Sequence, residues 1–251
     1  MLYHRETFAE IKNFILIKYD KTAGDDLQSG VDYNYHRLVQ ERLFDFMVDQ
    51  LQRIYPRSYI HVITDKPIAR GKMLISHCLS FPHNYLNKFL VWDLLDEPSM
   101  YLDTDIILHY PFLRHHIITE NSFNLYNYFD QNIQEGSRIP FVRPVLKHYN
   151  CGIIWIAKPS KGFSDVLLKI HEKYFSDDEY LVANGMMPNQ DEHAVSFYVE
   201  TTELEMKLFP EVNHKGWNKG LLFVQSSHFP GRRLKKQLME YLGYEVSNHG
   251  F

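Results

Sequence analysis

The chain has little cysteine, no surplus of positive charge and no long apolar run. Two cysteines in 251 residues, Cys78 and Cys151, are too few and too scattered to frame a secreted disulfide scaffold, so both are expected as reduced thiols. Lys and Arg number 27 against 31 Asp and Glu, a net charge of -4. That balance supplies no broad positive field for a phosphate backbone and argues against nucleic acid as a partner. No apolar run approaches the roughly 18 residues of a membrane span, and the opening "MLYHRETFAEIKN" puts charges where a signal peptide carries its apolar core. The chain therefore reads as soluble and cytoplasmic, without a transmembrane segment. Internal repeats, low-complexity tracts and an obvious linker are also missing, which favours a single domain over 1–251.

What is present is ample core material: 45% of residues are apolar and 15% aromatic, enough for a large α/β domain. "NFILIKY" at 13–19 is an apolar block closed by the turn chemistry of "DKTAGDDLQSG". Between 35 and 54, Val39, Leu43, Phe46, Met47, Leu51 and Ile54 recur at three- and four-residue steps, the mark of one buried helical face. "SYIHVIT" at 58–64 makes a second strand, so strand, helix and strand form a βαβ unit and predict a parallel sheet. Helical periodicity over 84–96 stops at Glu97-Pro98, ahead of a strand at 99–103. Further on, the spacing predicts a strand over 150–157, a helix from about 162 to 175, a helix starting near Gln190, a strand at 221–227 and a basic helix at 231–243. In such sheets ligands bind beyond the carboxyl ends of the strands. Asp20, Asp65, Asp103 and His228 all fall at or just after predicted strand ends.

The stretch "SMYLDTDIIL", 99–108, sets Asp103-Thr104-Asp105 between two apolar strands. Burying an ionised carboxylate costs several kcal/mol unless a cation or hydrogen bonds answer it. A positive group is therefore expected beside this pair. Two carboxylates one residue apart at a strand end can hold a hard divalent cation and leave positions for phosphate oxygens. They can equally form a turn, bonded to nearby backbone N–H groups.

"NYLNKFLVWDLLDEPSMYLDTDIIL" resembles the stretch of metal-dependent GT-A glycosyltransferases in which a lysine-bearing helix, here with Lys88, leads to a Tyr-Leu-Asp-x-Asp strand. Glycosyltransferase family 8, with glycogenin and bacterial galactosyltransferases, is the most similar pattern. Three further pieces follow in the family's order. "YNCGIIWIAKP" is similar to its Asn-x-Gly strand and puts Asn150 on the sugar and acceptor side. "NQDEHAVSFYV" is similar to its Asp-Gln-Asp stretch, with Asn189 in place of the first Asp. "SSHFPGRRLKK" resembles its His-x-x-Gly-x-x-Lys segment through His228, Gly231 and Lys235, with Lys236-Gln237 where Pro-Trp is usual.

The resemblance implies a GT-A, Rossmann-like α/β fold with a mixed, mainly parallel sheet. It has a nucleotide-binding half at about 13–110 and a sugar and acceptor half at about 111–245. It implies a hexosyl- or pentosyltransferase that moves sugar from a nucleoside-diphosphate donor, UDP-linked by preference, to a hydroxyl of a glycan or similar acceptor. Asp103, Asp105 and His228 would hold Mn²⁺, or Mg²⁺, with Asp103 also meeting the ribose. Lys235 and the backbone at Gly231 would neutralise diphosphate, while Tyr19 and Asp20 would face the nucleobase. Asp65, Lys88, Thr104 and Asn150 complete the donor site. Asp191 or Glu192 would serve an inverting reaction as base, and Gln190 or Asn150 would face the sugar in a retaining one. Because neighbours on a helix point about 100° apart, only one of Asp191 and Glu192 is expected to face the site.

Two rival readings use the same residues. A haloacid-dehalogenase-type phosphohydrolase also carries Asp-x-Asp at a strand end, but needs a later acidic pair after a strand, whereas Asp177-Asp178 follows "HEKYFS". A non-catalytic nucleotide-sugar-binding module would use the aromatic side chains for recognition.

Overall fold

The computed structural model describes residues 8–18, 33–69, 73–78, 85–104, 106–108, 111–117, 123–126, 150–158, 162–177, 190–202, 206–209, 212–213 and 223–225. The apolar block "FILI" becomes strand β1 (Asn13–Lys18), with Phe14, Ile15 and Leu16 fully buried. A strand buried on both faces reads as a continuous apolar run because each face packs against helices. Helix α1 (Tyr33–Ile54) covers one face with Leu43, Phe44, Met47, Val48 and Leu51. Phe44 and Val48 thus take the place expected of Phe46, which is half-buried. Strand β2 (Tyr59–Thr64) returns parallel to β1, Asn13 opposite Tyr59 and Lys18 opposite Thr64, which is the βαβ unit predicted.

Strand β3 (Leu74–Cys78) was not legible, since "LISHC" is short and half polar. It pairs in parallel with β2 at the sheet edge. The helix expected over 84–96 is mostly something tighter. Tyr85–Leu90 winds as a 3₁₀ helix and only helix α2 (Val91–Leu94) is α-helical. Phe89 and Val91, two residues apart, are both fully buried, a spacing that one α-helical face does not present. Leu95 is already extended, and Pro98 disfavours helix in the residue before it.

Strand β4 (Ser99–Leu102) lies beside β1 in parallel. Strand β5 (Ile106–Leu108) leaves that sheet. Strand β6 (Phe123–Tyr126) and strand β7 (Asn150–Ile156) are antiparallel to each other, and β7 is antiparallel to β4. After helices α3 (Phe163–Tyr174) and α4 (Gln190–Thr201), strand β8 (Met206–Phe209) joins β6 in parallel. The seven-stranded order is β3-β2-β1-β4-β7-β6-β8, a mixed sheet with four parallel pairings. Strand β9 (Val212–Asn213) and strand β10 (Phe223–Gln225) form a second sheet with β5, ordered β5-β10-β9. The basic helix expected at 231–243 lies outside the described residues.

Side chains alternate across the strands and separate two cores. Phe14, Leu16, Val62, Met100 and Leu102 pack with α1; Ile15, Ile63, Tyr101 and Ile154 pack with Phe89, Val91, Leu167 and Val195 from 85–94, α3 and α4. Gly162, at φ 85°, caps α3 in the left-handed region that glycine adopts without strain. Its N–H donates to Asp93 Oδ1 at 2.8 Å, tying α2 to α3. No helix among the described residues is long and apolar enough to cross a membrane, and both cysteines are free thiols.

A polar chain crosses β3, β2 and β1. Asn13 Nδ2 donates to Glu97 Oε2 at 3.1 Å and to Pro98 O at 3.4 Å, so Asn13 Oδ1 is the atom that faces His61 Nε2 at 3.3 Å. His61 therefore carries its proton on Nε2 and accepts at Nδ1 from His77 Nε2, 3.0 Å away, with the rings stacked at 5.2 Å. A second proton on His61 would set N–H against N–H. Burial first, then the neighbouring His77, lower its pKa from 6.5 to about 4, while Glu97 acts the other way. Burial also lowers His77.

The unfolded chain takes up the His61 proton near pH 6.5, and the folded protein resists it until about 4. Between those values the unfolded state binds more protons, so stability falls as pH drops through the window, by on the order of 2 kcal/mol once solvent screening of the partly open imidazole is discounted. We expect His61→Gln to flatten this part of the melting-temperature profile. Equal declines in wild type and variant between about pH 7 and about pH 4.5 would exclude His61 as the cause.

Candidate active site

Asp103 follows the last residue of β4 and stays tied to the sheet. Its N–H donates to Gly152 O of β7 at 2.7 Å, and its carbonyl accepts from Ile106 N at 3.1 Å. The second bond turns the chain out of the large sheet and into β5. Gly152 lies within β7. Leu125 of β6 opposes Ile154, while the next residue, Tyr126, opposes Asn150. Residues 151–153 thus lie where the register jumps, an irregularity of the kind that re-aims side chains beside functional sites.

The positive group that the acidic pair calls for is Lys88. From the 3₁₀ segment its Nζ reaches Asp103 Oδ1 at 3.4 Å and Asp191 Oδ2 at 2.8 Å. The Lys88 and Asp191 side chains are each 11% exposed and that of Asp103 is 25% exposed, so one edge of the cluster opens outward. Burial alone would pull the ammonium down, but the carboxylates of Asp103 and then Asp191 hold it well above its ordinary value. Two carboxylates around one ammonium leave a negative surplus, which suits a further cation at the open edge. Asp191 sits in the first turn of α4, where the helix N-terminus favours a carboxylate.

Tyr101 lies under this cluster. Its hydroxyl donates to Asp103 Oδ1 at 2.5 Å, and Lys88 Nζ stands 5.5 Å from its ring centroid. Burial and the Asp103 carboxylate push the phenol well above its usual value, so it stays protonated as a donor. Cys151 is fully buried, and burial followed by Asp191 and Glu192 pushes its thiol up. A thiol so held is a poor nucleophile.

Of the residues singled out from sequence, Lys88, Asp103 and Asp191 come together through direct contacts. Glu192 is also buried and, with Asp191, acts on Cys151. Thr104 is half-buried in the turn, and Asp65 is exposed just past β2. Gln190 opens α4 and Asn150 opens β7. Tyr19, Asp20, Asp105, His228, Gly231 and Lys235 lie outside the described residues. The sequence reading overlooked Tyr101, although it stands two residues before Asp103 and strand residues at that spacing share a face.

No family model matches the sequence, and no curated protein matches it by sequence. Solved structures do match by shape. The galactosyltransferase LgtC, in complex with donor and acceptor sugar analogs, aligns at TM-score 0.59 with 10% identity, over 94% of this chain and 98% of that one. The fold is GT-A. An active-site glutamine-to-glutamate mutant of LgtC aligns at TM-score 0.58, again with 10% identity over 94% of this chain and 98% of that one. The glycosyltransferase GlyE of Streptococcus pneumoniae TIGR4 aligns at 0.52 with 13% identity, over 80% of this chain but only 46% of GlyE. In GT-A terms the cluster of Asp103, Lys88 and Asp191 stands where β4, at the middle of the sheet, delivers its carboxyl end. That is the edge where ligands of open α/β sheets bind.

Proposed function

We propose that the protein is a metal-dependent glycosyltransferase of the family 8 type. It takes a hexose or pentose from a nucleoside-diphosphate donor, UDP-linked by preference, and passes it to a hydroxyl of a glycan or similar acceptor in a cytoplasmic setting. The observation that carries this reading is the buried Lys88 held between Asp103 and Asp191 at the carboxyl edge of a GT-A sheet. The LgtC structures, one with donor and acceptor sugar analogs, support the substrate class.

In this reading Asp103, Asp105 and His228 would hold Mn²⁺ or Mg²⁺. The chemistry of Asp103 fits: it is an oxygen donor, partly exposed, in a cluster with negative surplus. Among the described residues no three His, Cys, Asp or Glu side chains gather as a metal set, two of these ligands lying outside them. One connection supports His228. Gln225 of β10 pairs with Ile106 of β5, so β10 ends beside the residue that follows Asp105 in sequence, three positions before His228. Three residues of chain reach about 10 Å from there.

Bound there, the cation would supply Lewis-acid charge to the departing diphosphate. Lys88 adds fixed positive potential at the same edge, worth most where water is scarce. Lys235 and the backbone at Gly231 would neutralise further phosphate charge, with Tyr19 and Asp20 at the nucleobase and Asp65 and Thr104 at the rim. Asp191, held by Lys88, faces the sugar as the key carboxylate, with Glu192 behind it. Gln190 and Asn150, which start α4 and β7, would flank the sugar face. The phosphohydrolase alternative needs an acidic pair after a strand, and Asp177 follows helix α3 instead.

The test is a thermal-shift and turnover panel of UDP-, GDP-, dTDP- and CMP-linked sugars with and without Mn²⁺. A donor near 100 times its Kd adds about 2.7 kcal/mol, a rise of roughly 5 to 10 °C for a domain of this size. We expect a UDP-sugar to give that rise only with Mn²⁺. Hydrolysis of simple phosphomonoesters would revive the phosphohydrolase, and nucleotide binding that survives EDTA without turnover would favour the module.

A further inference from the structure

Tyr101 takes no part in the chemistry above, yet it is 2% exposed and spends its only hydroxyl on a carboxylate at the mouth of the site. A buried phenol needs a partner, and a backbone carbonyl would satisfy it. Here the partner is Asp103, and the contact falls on Oδ1, the same oxygen that Lys88 meets. Among the described residues both partners of this carboxylate sit on that one atom. Two donors on one oxygen fix the plane of the carboxylate and turn the other oxygen, Oδ2, away from them.

We infer that Tyr101 is a positioning residue for the donor complex: by holding Asp103 Oδ1 it makes Oδ2 the oxygen offered to cation and nucleotide. The inference rests on the glycosyltransferase reading and deepens it. Partners that orient a ligating group without touching the ion commonly change metal affinity or activity by about 10- to 100-fold when removed. Lys88 alone cannot do the same, because its ammonium is shared with Asp191 at the shorter distance, 2.8 Å against 3.4 Å. The hydroxyl on the rigid β4 strand supplies the direction, and the lysine supplies the charge.

Tyr101→Phe removes one oxygen and keeps the ring under Lys88. Tyr55→Phe serves as the control, since the Tyr55 hydroxyl accepts from Phe112 N at 2.6 Å in the core under α1. For each protein, Mn²⁺ binding in the presence of UDP is titrated by electron paramagnetic resonance, and kcat and KM for the donor are measured separately. Tyr101→Phe should bind Mn²⁺ about 10-fold more weakly and raise the donor KM by a similar factor, with kcat changed less. Tyr55→Phe should lose melting temperature and bind as wild type. If Tyr101→Phe binds within about twofold of wild type, or both variants lose affinity alike, the positioning role is wrong while the glycosyltransferase reading stands. If wild type binds neither Mn²⁺ nor any nucleotide sugar, both fall together.

Discussion

Replacing Lys88 by methionine should lower the melting temperature by about 8 °C. Methionine keeps most of the length and the apolar character of the lysine stem but leaves Asp103 and Asp191 facing each other without the cation between them. Stranding a charge in a buried pair costs about 3 to 5 kcal/mol. Asp103 is partly exposed, so solvent returns some of that and about 3 kcal/mol is the expected loss. At 2 to 4 °C per kcal/mol for a domain of this size, the shift follows. Pairing the change with Asp191→Asn tests the cause. The double variant should regain part of the loss, because the second carboxylate no longer needs an answer. Strict additivity of the two single effects would show that the ammonium and Asp191 are not coupled.

Asp103→Asn should show the opposite balance, with stability nearly kept and activity lost. Lys88 retains Asp191 at 2.8 Å, and an amide oxygen can still accept from Tyr101. What disappears is the charge that would hold cation and diphosphate together. Removal of one such preorganised electrostatic group costs about 10² to 10³ in rate. We expect kcat/KM for the nucleotide-sugar donor to fall by at least that factor while the melting temperature moves by less than about 3 °C. Wild-type turnover by Asp103→Asn at saturating Mn²⁺ would remove Asp103 from the machinery. A large drop in melting temperature would recast it as a structural residue.

Much of the framework was legible because its signals are local. "FILI" and "HVIT" are buried on both faces and announce parallel strands; the 3.6-residue stripe of α1 and the start of α4 at Gln190 stood within a residue or two of their expected places. Short and half-polar strands such as β3, β6 and β9 gave no comparable signal. Their stability comes from neighbours distant in sequence: β6 pairs with β7 and β8, whose partner residues lie about 30 and 80 positions away. In the site, the demand for a cation beside Asp103 could be argued from the cost of burial alone. That Lys88 answers it, with Asp191 as second partner, required the tertiary fold. Tyr101 escaped notice for another reason: an aromatic residue in a strand has an ordinary explanation in packing, and only the geometry of its hydroxyl separates the two roles.

The short sheet has a consequence for shortening the chain from its carboxyl end. β10 lies between β5 and β9 and is the strand through which each joins that sheet. Truncation ahead of Phe223 would do more than trim a tail. It would strip the hydrogen-bonding edge of Ile106–Leu108, an apolar triplet fully enclosed in the intact protein, and offer it to any passing strand. Clumping of such a truncated form would then report a bared β edge beside Asp103, independently of any activity the protein has.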